Sequence, residues 1–272
     1  MCIIVYKPKG QQLPSKRTLQ TCWNNNPDGA GYMFPNDKGR VSIRKGFMSF
    51  HEFYSNLMYD FRKFGNVDFV MHFRISTQGG VNQQCCHPFP LSRKMDELKY
   101  LRCHSNIGIA HNGIIDLTTT YGKVDYSDTM KFITDYLTLI IKDRDFYKDE
   151  ETLLLIERLA GSKLAIMDGT GHTTLIGDFT MDKGCYYSNE YYKEPRVRAR
   201  KTIPYYKWDE WDDWEEWNNR HNISKIEEKK GQDNSTILFE DENELLRQDN
   251  NGDILWFNKK KEEQDKIDKK GE

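Results

Sequence analysis

The sequence has little of what marks secreted, membrane-bound or nucleic-acid-binding proteins. It has only six cysteines in 272 residues, too few for a disulfide-stabilised scaffold. Its apolar runs fall short of the ~18 residues that a membrane-spanning helix needs, and its start lacks a secretory-signal pattern. The 40 basic and 42 acidic residues nearly cancel, for a net charge of −2, so no global field attracts nucleic acid. We therefore expect a cytoplasmic protein with reduced thiols and no nucleic-acid or membrane partner.

Charge is distributed unevenly along the chain. Residues 190–272 hold 17 basic and 22 acidic residues in 83 positions, so 47% are charged, against 23% in residues 1–189. The lower density is typical of a globular domain and the higher one of a solvated appendage. We predict a globular domain over residues 2–195, an acidic and aromatic extension over 196–257, and a charged, disordered tail over 258–272.

The extension contains a run of tryptophans separated by six acidic residues: Trp208, Trp211, Trp214 and Trp217. A spacing of three residues drifts around an α-helix by about 60° per step, so the four rings do not share one stripe. Two interpretations stay open. The segment is either a helix that buries some rings against the main domain, or a docking segment for a partner protein.

The sequence pattern of the globular domain predicts alternating strands and helices. Ser15 is a candidate N-cap for the first helix, and the second and third strands form a predicted hairpin. The last three strands are predicted to form a terminal meander. Strands cluster at both ends with helices between them, which favours a layered α+β fold over a wound parallel sheet. The predicted strands span 2–6, 31–34, 41–44, 67–73, 106–111, 163–167, 173–176 and 185–188, and the helices span 15–24, 49–64, 127–141 and 151–159.

Cys2 is the residue whose chemistry most clearly suits catalysis. If Met1 is removed, Cys2 carries a nucleophilic thiol and a free α-amine on the same residue. The amine has a reference pKa of about 7.7–8.0, so it can take the thiol proton directly or through a water. Such a nucleophile does not need a separate histidine.

Further motifs accompany Cys2. His72 and Arg74 share one face of a predicted strand, and a guanidinium at a strand end suits bidentate binding of a carboxylate. Asn112 precedes Gly113, and an amide beside a glycine N–H can hold an oxyanion. Asp128 lies in the first turn of a predicted helix.

Together these segments resemble the class II glutamine amidotransferases, which are N-terminal-nucleophile hydrolases. The resemblance implies a four-layer α/β/β/α sandwich that hydrolyses glutamine or a γ-glutamyl compound without a metal or an organic cofactor. One departure is Ile3, which stands where the family often has glycine. The matching segments appear in the family's order: Cys2, Asp28–Gly31, His72–Arg74, His87–Phe89, Ala110–Gly113, Ser127–Asp128 and Tyr187–Asn189.

The resemblance also implies a role for each matched site residue. Cys2 would attack the γ-carboxamide and form a thioester. The Asn112 side chain and the Gly113 N–H would form the oxyanion hole. Arg74 would bind the α-carboxylate of glutamine, and Asp128 would bind its α-ammonium group.

The remaining substrate-binding candidates lie in two loops. Ser76 and Thr77 belong to a glycine-hinged loop, residues 76–80, that would close over the substrate. His87 precedes Pro88 and would contribute from a second loop. The ammonia acceptor stays open between water and a separate synthase chain that contacts residues 208–217.

Two alternatives compete with this interpretation. The first is a catalytically inactive, amidotransferase-like binding protein that acts through the Trp-rich acidic segment. The second is a zinc site, although the usual C-x₂-C spacing is missing. Its candidate ligands are Cys85, Cys86, His87, Cys103 and His104.

Overall fold

A computed structural model describes residues 2–65, 67–76, 80–118 and 124–194, and the backbone of four short strands farther along the chain. The chain divides into two compact units, residues 1–197 and residues 198–272, and each is treated by itself. Our predicted boundary followed residue 195. The predictions for Trp208–Trp217 and for the tail beyond residue 258 lie outside the described residues.

The described strands of the first unit form two antiparallel sheets. The larger has seven strands in the order β10-β11-β1-β4-β2-β3-β6, and the smaller has four in the order β5-β7-β8-β9. The α+β class is therefore confirmed. The strands are β1 Ile3–Lys7, β2 Ala30–Pro35, β3 Val41–Phe47, β4 Phe69–Phe73, β5 Phe89–Pro90, β6 Arg102–Ser105, β7 Ile107–Asn112, β8 Lys163–Asp168, β9 Thr173–Ile176, β10 Thr180–Asp182 and β11 Cys185–Tyr187.

The helices begin at polar caps that the sequence makes available. Ser15 is the N-cap of α1, as predicted, and its side chain accepts the backbone N–H of Thr18. Ser49 and Ser127 cap α2 and α4 in the same way, which satisfies a backbone donor that has no partner inside the helix. The helices are α1 Lys16–Asn25, α2 Phe50–Phe64, α3 Met95–Leu98, α4 Asp128–Phe132, a π-helical segment Ile133–Leu137, α5 Thr138–Ile140, α6 Glu150–Ala160, and 3₁₀ turns at Asp116–Thr118 and Phe146–Lys148.

Successive side chains of a strand point to opposite faces of its sheet, so alternate residues belong to different apolar clusters. Ile3 and Val5 of β1 pack with residues of α1 and α2, whereas Ile4 belongs to a cluster shared by both sheets. Ala110 and Ala165 of the smaller sheet join that shared cluster. On the other face of the smaller sheet, a third cluster contains residues of α4, the π-helical segment and α6. The apolar core therefore lies between the sheets and under the helices.

The interior position of β1 in the larger sheet places neighbouring strands on both sides of the candidate site. It pairs with β4 on one side, with Ile3 opposite Phe73, and with β11 on the other, with Val5 opposite Tyr187. Cys2 immediately precedes this strand. Its neighbours across the sheet are therefore the ends of β4 and β11.

Several predictions about the elements need correction. The predicted helix over 127–141 is interrupted, because a π-helical segment separates α4 from α5. The predicted terminal meander is wrong, because β8 and β9 belong to the smaller sheet whereas β11 pairs with β1 in the larger one. The short strands β5, β6 and β10 and the helix α3 were not predicted.

The second unit contains a four-stranded antiparallel sheet in sequential order. Its last strand includes the apolar segment Ile254–Phe257. The strands are β12 Lys229–Lys230, β13 Thr236–Glu240, β14 Glu244–Gln248 and β15 Ile254–Asn258. Within the part of the chain that the structure describes, none of the helices has the length and apolar character required to span a bilayer.

Candidate active site

The Cys2 thiol is half-buried beside the chain that leaves β4. The backbone N–H of Ile75 donates to Cys2 Sγ over 3.4 Å, and Sγ donates to the Ile75 carbonyl, also over 3.4 Å. Burial raises the pKa of the thiol, although the Ile75 hydrogen bond and the Arg74 charge oppose this rise. A thiol with a raised pKa needs a base to accept its proton before it can attack.

Arg74 lies at the end of β4 and is only 3% exposed. Its Nη1 donates to the Gly80 carbonyl over 2.8 Å, and its Nη2 donates to Ser76 Oγ over 3.1 Å. The Ser76 N–H in turn donates to Asp28 Oδ2 over 2.7 Å. The guanidinium therefore holds both ends of the loop over residues 76–80, and Thr77 lies outside the described residues.

Asn112 and Gly113 lie at the end of β7. Asn112 Nδ2 donates to Ser188 Oγ over 2.8 Å, whereas the buried Asn112 Oδ1 has no hydrogen-bond partner among the described residues. Gly113 adopts a φ of 151°, and an added Cβ would lie 2.4 Å from Ser162 Cβ. Glycine is therefore required at this position for both conformational and steric reasons.

Asp128 is the first residue of α4 and is 5% exposed. One carboxylate oxygen accepts the Ile115 N–H over 2.9 Å, and the other accepts the Thr129 N–H over 2.8 Å. Because Ile115 follows Gly113 by two residues, this bond ties the start of α4 to the predicted oxyanion turn.

A cluster of three buried histidines supports these residues from inside the protein. The rings of His72 and His87 stack with centroids 4.3 Å apart, and His72 Nε2 donates to the His111 carbonyl over 3.0 Å. His87 Nε2 and His111 Nδ1 both contact Thr129 Oγ1, at 3.2 and 2.8 Å. Burial lowers the pKa of His72 to about 3 and that of His111 to about 4, and lowers the pKa of His87 as well. At neutral pH the cluster is uncharged.

His87, predicted to bind the substrate, is a member of this buried cluster. The residue is 5% exposed, and its ring also meets Phe89 edge-on with centroids 4.6 Å apart. It therefore packs behind Asp128, through Thr129, as part of the interior. Its contact with a substrate stays a prediction.

Two residues after β11 join the predicted site, although the sequence suggested no role for either. Ser188 Oγ accepts the backbone N–H of Ile4 and Asn112 Nδ2, each over 2.8 Å. Asn189 Nδ2 donates to the Cys2 carbonyl over 2.6 Å. The only sequence signal for these positions was their membership of a matching segment.

The proposed zinc ligands do not converge. Cys85 Sγ donates to the Asp125 carbonyl and Cys86 Sγ to the Asn82 carbonyl, whereas the exposed His104 contacts Ser42 Oγ through its Nδ1. Among the residues that the structure describes, no three His, Cys, Asp or Glu side chains are arranged to hold a metal ion.

No family model matches this chain, and neither does any curated protein. The chemical interpretation therefore depends on the site itself. The fold places Cys2, Arg74 and Ser76 beside the ends of β1 and β4, Asn112–Gly113 at the end of β7 and Asp128 at the start of α4. The Ser188 hydroxyl connects the two sheets there. These residues supply a candidate nucleophile, candidate oxyanion donors, a buried arginine and a buried aspartate.

Proposed function

We propose that this chain hydrolyses the γ-carboxamide of glutamine, or of a γ-glutamyl compound, through a thioester at Cys2 after removal of Met1. The observation that carries this proposal is the Ser188 hydroxyl, which accepts both Ile4 N–H and Asn112 Nδ2. That shared acceptor holds the candidate oxyanion amide beside the strand that directly follows the proposed nucleophile. A nucleophile and an oxyanion donor held in this way are the minimum for acyl transfer.

The reaction begins with transfer of the thiol proton to the Cys2 α-amine. Sγ attacks the γ-carbonyl carbon, and the negative charge on its oxygen is stabilised by Asn112 Nδ2 and the Gly113 N–H. The C–N bond breaks, and the α-ammonium group returns the proton to the departing ammonia. Water then hydrolyses the thioester to a γ-carboxylate and restores the thiol, so one amide and one water give one carboxylic acid and one ammonia.

Recognition of the glutamyl group follows from the two buried charges. Arg74 is suited to the α-carboxylate, because a guanidinium forms paired charge-assisted hydrogen bonds. Asp128 is suited to the α-ammonium group. Neither residue would contact a group attached to the γ-nitrogen, so a larger γ-glutamyl amide could be bound in the same way.

The packing is compatible with membership of the class II glutamine amidotransferases and with their four-layer α/β/β/α sandwich. Two features support this: an apolar cluster shared by both sheets, and helices packed on the opposite face of each sheet. Ile3, the departure from the family pattern, is fully buried in the α1–α2 cluster. Its side chain thus points to the helical face of β1.

The ammonia has two candidate acceptors. Release to water makes the chain a stand-alone amidohydrolase. Transfer to a separate synthase chain requires a docking surface, for which the Trp208–Trp217 segment is our candidate.

The proposal is tested by incubating the purified chain with a glutamine-mimicking diazoketone, followed by intact mass measurement and peptide mapping. We expect one adduct on a Met1-free Cys2, and glutamine should suppress it by competition. Cys2→Ser should abolish the adduct. Cys103→Ser should retain it, because Cys103 is also half-buried but lies on β6, away from Ile75.

Ammonia release from glutamine is measured on the same samples. An inert Cys2 in a Met1-free chain, or labelling that glutamine does not reduce, would contradict the proposed hydrolase. Either result would favour the non-catalytic binding protein.

A further inference from the structure

We propose that Ser188 and Asn189 are positioning residues of this site, Ser188 for the oxyanion amide and Asn189 for the nucleophile's main chain. The inference rests on the proposed function. It adds two side chains that do not touch the reacting atoms but fix those that do. Both follow β11, the strand that pairs with β1 on the side opposite β4.

Ser188 joins the two sheets at the site. It is 1% exposed, and its hydroxyl oxygen accepts one hydrogen bond from β1 of the larger sheet and one from Asn112 of the smaller sheet. Because Asn112 Oδ1 has no hydrogen-bond partner, the bond from Nδ2 to Ser188 is the only one that holds this side-chain amide among the residues that the structure describes. Loss of the hydroxyl therefore frees the Asn112 side chain to rotate.

The Ser188 backbone is held independently of its hydroxyl. Its N–H donates to the Ile4 carbonyl over 3.0 Å, and its carbonyl accepts Lys163 Nζ over 2.7 Å. Ser188→Ala should consequently keep the chain path and the fold. The variant leaves Ile4 N–H and Asn112 Nδ2 without their shared acceptor.

Asn189 acts on the nucleophile itself. Its Oδ1 accepts the Tyr191 N–H over 3.0 Å, which fixes the orientation of the amide and turns Nδ2 toward the Cys2 carbonyl at 2.6 Å. Holding that carbonyl restricts rotation about the Cys2 Cα–C bond. The α-amine and the thiol, both attached to the same Cα, are thereby given one orientation relative to the substrate.

The two substitutions should affect turnover rather than binding. Removal of an oxyanion donor costs about 10²- to 10³-fold in kcat, and freeing a donor that remains present should cost less, about tenfold for Ser188→Ala. The KM for glutamine should stay within about twofold, because Arg74 and Asp128 are unchanged. Asn189→Asp replaces a donor with an acceptor against the Cys2 carbonyl and should also lower kcat. Its added negative charge should favour the protonated α-amine and thereby move the acid limb of the kcat–pH profile to higher pH.

Two control variants separate positioning from general loss of structure. Ser42→Ala removes another buried hydroxyl, one bonded to Asn36 and His104. Asn25→Asp alters another amide that holds the 188–191 segment, through the Tyr191 carbonyl. We expect both controls to keep the wild-type kcat even where they lower Tm.

A readout independent of turnover follows the Asn112 side-chain amide by ¹H–¹⁵N NMR, assigned through its loss in Asn112→Asp. Ser188→Ala should shift this signal and speed its hydrogen exchange, whereas Ser42→Ala should not. An active wild type whose Ser188→Ala variant keeps both kcat and the amide signal would overturn the role of Ser188. An active Asn189→Asp variant with an unmoved pH profile would overturn that of Asn189. A wild type that releases no ammonia overturns the proposed function itself, and the wild-type assay alone reveals that case.

Discussion

Under the proposed function, Arg74 would hold a loop and also bind the substrate. Its guanidinium is almost completely buried and already holds the loop over residues 76–80, through Gly80 and Ser76. A guanidinium has five N–H donors, so a single arginine can in general contact both a loop and a carboxylate. Substrate binding and loop closure would then depend on the same side chain.

We therefore expect Arg74→Ala to raise the KM for glutamine by about 10- to 100-fold, the equivalent of one charge-assisted contact at about 1.5–3 kcal/mol. The Michaelis constant is measured from initial rates of ammonia release. Arg40→Ala provides the control, because Arg40 is exposed and bonds to the His104 carbonyl on an edge strand. An Arg74→Ala enzyme with an unchanged KM would remove Arg74 from the substrate site.

Gly113 and Cys2 illustrate how much of the site is set by single residues. The positive φ of Gly113 and its close approach to Ser162 leave no room for a side chain. Burial raises the pKa of the Cys2 thiol, so the thiolate is not present in quantity without a base. The α-amine of the same residue is the base that the proposed mechanism supplies.

At the scale of elements, the start of α4 carries both a helix cap and a candidate site residue. The Ser127 side chain accepts the Met130 N–H and begins the helix, and the next residue is Asp128. The carboxylate is fixed further by Ile115 and Thr129. If Asp128 binds the substrate as proposed, a change in this cap acts on stability and on substrate binding together.

Ser127→Ala should lower the free energy of unfolding by about 1 kcal/mol, the usual loss for an N-cap serine. It should also raise the KM for glutamine, because the turn that carries Asp128 loosens. Ser49→Ala removes the equivalent cap of α2, where Ser49 accepts the Glu52 N–H, and should cost similar stability at unchanged KM. Denaturant unfolding and steady-state kinetics on both variants measure the two effects. Equal KM values in the two variants would contradict the link between this cap and the site.

Much of the element order was predictable, because its causes are local. The serine caps and the amphipathic face of Phe50–Phe64 depend on residues close together in the sequence. The hairpin of β2 and β3 likewise depends on the short turn that joins the two strands. The break in the helix over 127–141 was not predictable from apolar spacing. There, the Thr134 and Thr138 hydroxyls bond to carbonyls of the preceding turn, a pattern that competes with regular helical bonding.

The residues of the candidate site could be named from the sequence, but the contacts between them could not. Cys2, Arg74, Asn112 and Asp128 stood out because each lies in a motif a few residues long. The links between them depend on contacts distant in sequence, such as Ser188 with Ile4 across 184 positions. Single-sequence patterns carry no signal for such pairings.

At the scale of the whole molecule, the late strands belong to different sheets, and this brings the candidate site residues to one junction. Asn112 of β7 and Lys163 of β8 are paired in the smaller sheet. β11, in contrast, pairs with β1 in the larger sheet. Ser188 then bonds to residues of both sheets. A single terminal meander, as the sequence suggested, would not have formed this junction.

The histidine cluster makes the stability of this molecule dependent on pH. His72, His87 and His111 are almost completely buried, and burial lowers the pKa of each, to about 3 for His72 and about 4 for His111. In the unfolded chain these groups titrate near pH 6.5. Above that pH both states are neutral at these positions, so the stability contribution is fully present. Below it the unfolded chain binds protons that the folded protein cannot, so stability is lost as pH falls toward the folded pKa values.

We expect the free energy of unfolding to fall from about pH 6.5 downward, by up to about 1.4 kcal/mol per pH unit for each of the three histidines. Urea unfolding at pH 7.5, 6.5 and 5.5 measures this slope, and this range lies above the usual titration of carboxylates. His87→Gln removes one of the three titrating groups, so its slope should be shallower by about a third even if its stability at pH 7.5 is lower. A free energy of unfolding that stays constant down to pH 5 would contradict a buried, neutral cluster. A slope in this range would mean that protonation of these histidines in the unfolded chain drives the loss of stability, so the packing behind Asn112 and Asp128, and with it the candidate site, would be lost only when the protein unfolds.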